Sequence, residues 1–178
     1  MAEQTQTQTL LADGKLAGAW TLDGAKSSVG LSSKSMWNMV KVKGSFAQVS
    51  GEGVISAAGE ATGTLTIAAA SVNTGIKKRD EHLRSADFFD VEKYPDITFS
   101  VASVSLSGDD ATVVGTLTVR DQAKPVTVAG QVSALGADEI SLDAEVPVNR
   151  GDYGMSFNQL NMMSMDSVIT IHAVFTRA

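Results

Sequence analysis

The chain has 178 residues and a mass of 18.6 kDa, with 43% hydrophobic and 19% charged residues, a balance that suits one folded domain and excludes wholesale disorder. Fourteen Lys and Arg against 20 Asp and Glu give a net charge of −6 and a pI near 4.8, so no cationic surplus is present to track a phosphate backbone and nucleic acid is not expected as a partner. Two histidines and no cysteine remove the ligands of thiolate catalysis, disulfides, zinc fingers and iron–sulfur clusters, and neither a metal nor a cofactor is expected.

In chain order, Met1 to Gln4 and the polar tract Thr5 to Thr9 lack the basic and apolar regions of a secretory signal. They predict a polar tail over residues 1–16, a domain over 17–178 and a cytoplasmic protein. The longest apolar run, Ile67 to Ala70, is far short of the roughly 18–20 residues that cross a bilayer as a helix. Val, Ser and Thr number 53, a β-branched and hydroxyl-rich bias that favours strands.

Period-two alternation then predicts strands over 19–23, 27–35, 40–56 and 62–70, the last with Leu65 and Ile67 opposed to Thr64 and Thr66. A short helix is predicted near residues 78–86, where Lys78 to Ser85 carries helix formers without alternation. Strands follow over 96–107, 111–120, 125–133, 139–149 and 167–176. The phase of Ile97, Phe99 and Val101 changes at Ala102-Ser103 and resumes at Val104, which predicts a β-bulge. Pro147 cannot donate to a ladder and belongs at an edge, bulge or rim. Turn signals include Gly108 to Asp110 and Gln122 to Lys124.

Consecutive long strands with one helix predict an all-β fold: an eight-stranded antiparallel up-and-down, lipocalin-like barrel. A barrel of eight strands is either filled by its own side chains or holds one ligand. Its inward phases carry mostly Val, Ala, Gly, Leu and Ile, with Phe46 and Phe99 among few large fillers, so an open apolar tube is expected. Phe46, Leu65, Ile67, Phe99, Val101 and Leu117 are its candidate lining, joined by Phe88 and Phe89 after the helix. Methionine supplies a second group, with Met36 and Met39 beside Trp37 and Val40, and Met155 and Met162 in a stretch holding Phe157 and Leu160. Flexible thioethers suit variable apolar guests, and equally serve as gap fillers. Lys78, Arg79, Arg84 and Arg150 are head-group candidates, able to pair with a phosphate or carboxylate.

Several stretches together resemble the YceI family of bacterial polyisoprenoid-binding proteins: Trp20 to Asp23, Gly44-Ser45-Phe46, Asn73-Thr74-Gly75, Arg79 to Ser85, Asp87 to Val91 and Tyr94 to Phe99. Asn149 to Met155 resembles that family's Arg-x-Asp-aromatic-Gly stretch. The resemblance covers about Gly18 to Arg177 and implies a lipocalin-like barrel whose elongated interior holds a long isoprenoid or another amphiphilic lipid. Where family members commonly carry histidine or phenylalanine on the first long strand, this chain has Lys26, Leu31 and Ser35.

No nucleophile elbow, zinc-protease helix, phosphate loop or dinucleotide fingerprint is present. The reading is therefore a binding protein, not an enzyme, that carries or sequesters a lipophilic chain such as a polyisoprenoid, an isoprenoid quinone or its precursor. Two alternatives remain open at this level. One is a fully packed barrel forming a homodimer; the other is an enzyme on a lipophilic substrate with Arg150, Asp152 and Tyr153 at its mouth.

Overall fold

The computed structural model describes residues 6–35, 40–108, 110–134, 136–155 and 166–178. Eleven strands form one antiparallel sheet: β1 (Gly18–Leu22), β2 (Ser28–Ser35), β3 (Val40–Phe46), β4 (Val49–Ile55), β5 (Ala61–Ala68), β6 (Val72–Asn73), β7 (Asp96–Ser107), β8 (Asp110–Val119), β9 (Gln122–Ala134), β10 (Glu139–Asn149) and β11 (Asp166–Arg177). The ring β1-β4-β5-β7-β8-β9-β10-β11 closes on itself through β1 and β11. β2 continues the path of β1 along β11, β3 that of β4, and β6 that of β5, so the barrel has eight walls, as the sequence predicts.

Each wall follows from its residues. On β8, Val113, Gly115, Leu117 and Val119 are buried while Thr112 and Val114 face solvent, the pattern of a strand with one wet face. Between β1 and β2 the chain bulges at Asp23–Ser27, and the Ser27 hydroxyl accepts the Val174 N–H at 2.9 Å. A side chain thus replaces a ladder bond and lets one wall bend without opening. The bulge expected at Ala102 is present as a register shift between Val101 and Ser103. Opposite it sits Gly115, where a Cβ would lie 2.3 Å from the Ser100 carbonyl oxygen and 3.3 Å from the Phe99 ring. Bulge and glycine together give β7 and β8 their curvature. Pro147 pairs with Val168 of β11, whereas pairing of β10 with β9 ends at Ala144–Gly130; the proline therefore occupies a free edge.

The turn between β8 and β9 begins two residues earlier than the sequence suggests. Arg120 and Asp121, both at positive φ, form the two-residue link, and Gln122 to Lys124 are already strand. Arg-Asp lacks the glycine that marks such turns.

Two helices close the ends. Residues 6–12, within the predicted polar tail, form α1 (Gln6–Ala12), and the Thr7 hydroxyl accepts the Ala134 N–H at 2.8 Å. Leu10 and Leu11 pack there with Leu16, Trp20, Ile140 and Phe175. The Trp20 indole donates to the Leu16 carbonyl at 2.9 Å, and Arg177 stacks over the indole at 4.5 Å. At the opposite end lies the helix read from sequence, α2 (Lys77–Arg84). Buried Asp80 accepts the Thr74 N–H at 2.8 Å and its hydroxyl at 2.5 Å, while Arg79 donates to the same threonine's hydroxyl and carbonyl oxygens. Arg84 donates to the carbonyls of Ala70 and Val72. These contacts clamp α2 to β6.

Burial works to raise the Asp80 carboxyl, but the Thr74 hydrogen bonds, with Arg84 and Arg79 nearby, hold it below its ordinary value. Its contribution to stability is therefore complete above about pH 4 and lost as pH falls through the lowered value. Asp80→Ala is expected to cost about 1.5–3 kcal/mol near neutrality, and thermal melts of the two proteins should draw together only as the pH is lowered below about 4. Gly115→Val is expected to cost at least about 1–3 kcal/mol, read as a lower melting temperature; an unchanged melt would refute the close approach.

Candidate functional site

The barrel interior holds two cavities, and among the described residues no side chain lines both. The first, about 150 Å³, lies beneath α1. Its cap is Leu11, Leu16 and Trp20, and its walls include Leu65, Phe99, Val101, Val104, Val113, Val128, Val132, Ala144, Ile171 and Ala173. Gly53 and Gly63, register partners on β4 and β5, bring backbone rather than side chain to this wall. Of its polar lining, Thr7 is already bonded to Ala134, and Glu52 and Thr62 are exposed.

The second cavity, about 200 Å³, lies beneath α2. Leu31, Val42, Phe46, Ile67, Phe88, Phe89, Ile97, Val119, Val148, Met155 and Ile169 form its apolar wall, with Ser33, Ser167, Arg79, His82 and Arg150 among them. Phe46 and Phe89 meet edge to face at 5.8 Å. His82 stands edge-on to Phe88 at 5.0 Å and bonds Asp87 at 2.8 Å.

Arg150 begins a 3-10 turn, Arg150–Tyr153, whose geometry is set by Asn149 accepting the Gly151 N–H and by Gly154 at φ 79°. The turn leaves the Arg150 side chain only 6% exposed. Its Nη1 donates to the Met155 carbonyl at 2.7 Å, and its guanidinium faces the Phe88 ring at 5.5 Å. Burial lowers the pKa of Arg150 and, together with the nearby Asp152 charge, raises that of Tyr153.

Between the cavities the continuous tube expected from sequence is interrupted. Leu22, Val29, Leu117 and Val146 are buried and line neither cavity. Leu65, Phe99 and Leu117 stand at one level through direct register, with Phe99 facing the first cavity and Phe46 the second. Alternation reveals which side chains point inward, but not that these few stand between cavity-lining residues without lining either cavity; together they are the septum between the two.

Of the residues singled out from sequence, Leu65, Phe99 and Val101 line the first cavity and Leu117 the septum. Phe46, Ile67, Phe88, Phe89 and Met155 line the second cavity. Met36, Trp37, Met39, Phe157, Leu160 and Met162 lie outside the described residues, as does the side chain of Val40. Among the head-group candidates, Arg79 and Arg150 line the second cavity. Lys78 is exposed and lines neither cavity; Arg84 lines neither and is held by backbone carbonyls. Sequence reasoning missed Leu16, Trp20, Ser33, His82 and Ala173 as lining. The alternation of β11 carries the signal for Ala173, whereas Leu16 and Trp20 depend on α1. Among the described residues no helix is long and apolar enough to cross a membrane.

A family model described as a YceI-like domain matches residues 20–175. A UPF0312 protein of Staphylococcus aureus (strain MSSA476) is 35% identical over 148 residues, covering 79% of this chain and 84% of its own. Among solved structures, BcnA of Burkholderia cenocepacia superposes with a TM-score of 0.78 at 27% identity, over 86% of this chain and 98% of its own. A polyisoprenoid binding domain from Saccharophagus degradans, implicated in plant cell wall breakdown, shares the fold with a TM-score of 0.74 at 22% identity, over 89% and 98% of the two chains. The antiparallel barrel and the match from Trp20 to Phe175 together place the chain in the YceI-like family.

Proposed function

We propose that this protein binds a long-chain lipophilic molecule inside the barrel, a polyisoprenoid or an isoprenoid quinone or its precursor, and carries or sequesters it without chemical change. One observation carries the reading: two cavities with largely apolar walls lie at opposite ends of the barrel, with buried side chains such as Leu117 and Val146 between them along their strands. Each is smaller than the roughly 300 Å³ at which ligand sites begin, so a long tail must occupy both and displace the septum. Phe46 and Phe99, one facing each cavity, are the rings to turn. Their rotation exchanges contact between side chains for contact with the tail, while every methylene of the guest leaves water with a gain of up to about 0.8 kcal/mol.

The description of the Saccharophagus domain as polyisoprenoid binding agrees with this reading. A fully packed barrel acting only as a dimer module is disfavoured by the cavities themselves. Nothing in the arrangement nominates a reaction: Tyr153 is buried with its pKa raised, and Asp152 points to solvent.

Native mass spectrometry of gently purified protein, followed by organic extraction, should reveal a lipid adduct, and the emptied protein should take up geranylgeraniol. Ala173→Phe places a ring in the first cavity. It should weaken uptake by about tenfold or more while leaving the melting temperature within a few degrees, because filling an existing cavity does not strain the core. Absence of an adduct together with absence of uptake would overturn the proposal.

A further inference from the structure

The two ends of the barrel are closed by different means. α1 crosses its end from rim to rim. The Thr7 hydroxyl accepts the N–H of Ala134, at the end of β9. Leu11 reaches Gly59 in the turn between β4 and β5, on the far side of the ring, where a Cβ would stand 3.2 Å from the Leu11 Cγ. After α1 the chain is fastened to the rim through its carbonyls: Arg177 donates from Nη1 to Ala17 at 2.6 Å and from Nη2 to Lys15, and the Trp20 indole donates to Leu16. Between α1 and this fastening stands Gly14 at φ 72°, where a Cβ would meet nothing within 4 Å. Glycine reorients there without steric cost.

Resting on the ligand reading above, we propose that α1 is the door of the barrel: the guest enters and leaves at this end as α1 swings away about Gly14, while the end beneath α2 stays shut. The contacts at each end decide which one opens. Lifting α1 parts Leu10 and Leu11 from the cluster of Leu16, Trp20, Ala134 and Ile140. These apolar contacts have no direction, and the methylenes of an entering chain replace them as they arrive. Lifting α2 instead strips buried Asp80 of both Thr74 bonds, detaches Arg79 from the same threonine and takes Arg84 off two carbonyls. A buried carboxylate deprived of its partners is heavily penalised. On that side β10 parts from β9, and the Arg150–Tyr153 turn that follows β10 is tied to the β8–β9 link by Arg120 donating to the Gly154 carbonyl at 2.9 Å.

The sequence of α1 suits a door. A helix of seven residues is too short to persist by itself in water, and Thr7 and Thr9 are weak helix formers, so α1 holds its shape only while its leucines are packed. Thr7 and Leu11 line the first cavity, and their departure therefore opens that cavity to solvent. Leu16 and Trp20, pinned by the carbonyl bonds beyond Gly14, stay behind as an apolar sill for the chain to cross.

The chain has no cysteine, so a disulfide can lock the door without competing thiols. In the double variant Leu11→Cys, Gly59→Cys, a sulfur at the Leu11 Cγ position lies 3.2 Å from the Cβ at residue 59, a separation that a disulfide spans. Strain from a side chain at φ 87° is common to the oxidised and reduced forms and cancels between them. Uptake of geranylgeraniol by each delipidated form is followed in time by native mass spectrometry. The oxidised form should take it up at least about tenfold more slowly than the reduced form, as when a lid sets the rate, and dithiothreitol should restore the rate. Leu11→Ser, which loosens the closed door, should speed uptake and release by about threefold or more, and it stands by itself if the double variant fails to fold. Equal rates in the oxidised and reduced forms, or unchanged rates in Leu11→Ser, would overturn the door and leave the carrier reading intact. No uptake by the wild-type protein would overturn both.

Discussion

The structure turns on a mismatch of volume. Eight long walls, bent by a bulge at Ala102 and by inward glycines, enclose more space than their mostly small inward side chains fill. Close packing is the rule for protein interiors, and an empty apolar space costs the contacts its walls would otherwise make. The guest proposed above would fill both spaces. The septum of Leu22, Val29, Leu117 and Val146 resolves the mismatch in the absence of a guest: it restores a packed core at the waist, where the barrel must hold together, and leaves the vacancies at the ends.

The ends are built by different physics. Beneath α1 the closure is apolar, with Leu11, Leu16 and Trp20 laid over the rim and the Thr7 hydroxyl accepting the Ala134 N–H. Beneath α2 it is polar, held by the Thr74–Asp80–Arg79 cluster and by Arg84 on two carbonyls. The clamp on α2 keeps Arg79, His82 and Leu83 facing the second cavity, so the hydrogen bonds that stabilise the fold also set the chemistry of its mouth.

Much of this was legible in the sequence, for a physical reason. In a barrel with one wet face, inward and outward residues must alternate on every wall, and a slip of one residue would expose a whole hydrophobic set. Ile97, Phe99 and Val101 therefore announce their own phase, and the change at Ala102 announces the bulge. The waist was not legible, because alternation gives direction and not distance: Leu117 and Val113 read alike, yet one is buried between the cavities and the other lines the first. Helix α1 was hidden because Gln and Thr dominate it and only Leu10 and Leu11 carry its apolar face. The polar group beneath α2 depends on four separate segments, and no local pattern brings Ser33 to Arg150. The Arg-Asp turn between β8 and β9 escaped notice because it has no glycine to mark it.

The claim on which everything else depends is that a guest chain can pass the waist. A crystal structure of the protein isolated with its native lipid measures this directly. The account predicts one continuous tail running from the cavity beneath α2 to the Gly53–Gly63 wall, with the Phe46 and Phe99 rings turned aside. An intact septum, with lipid confined to one end or lying on the outer surface, would contradict it.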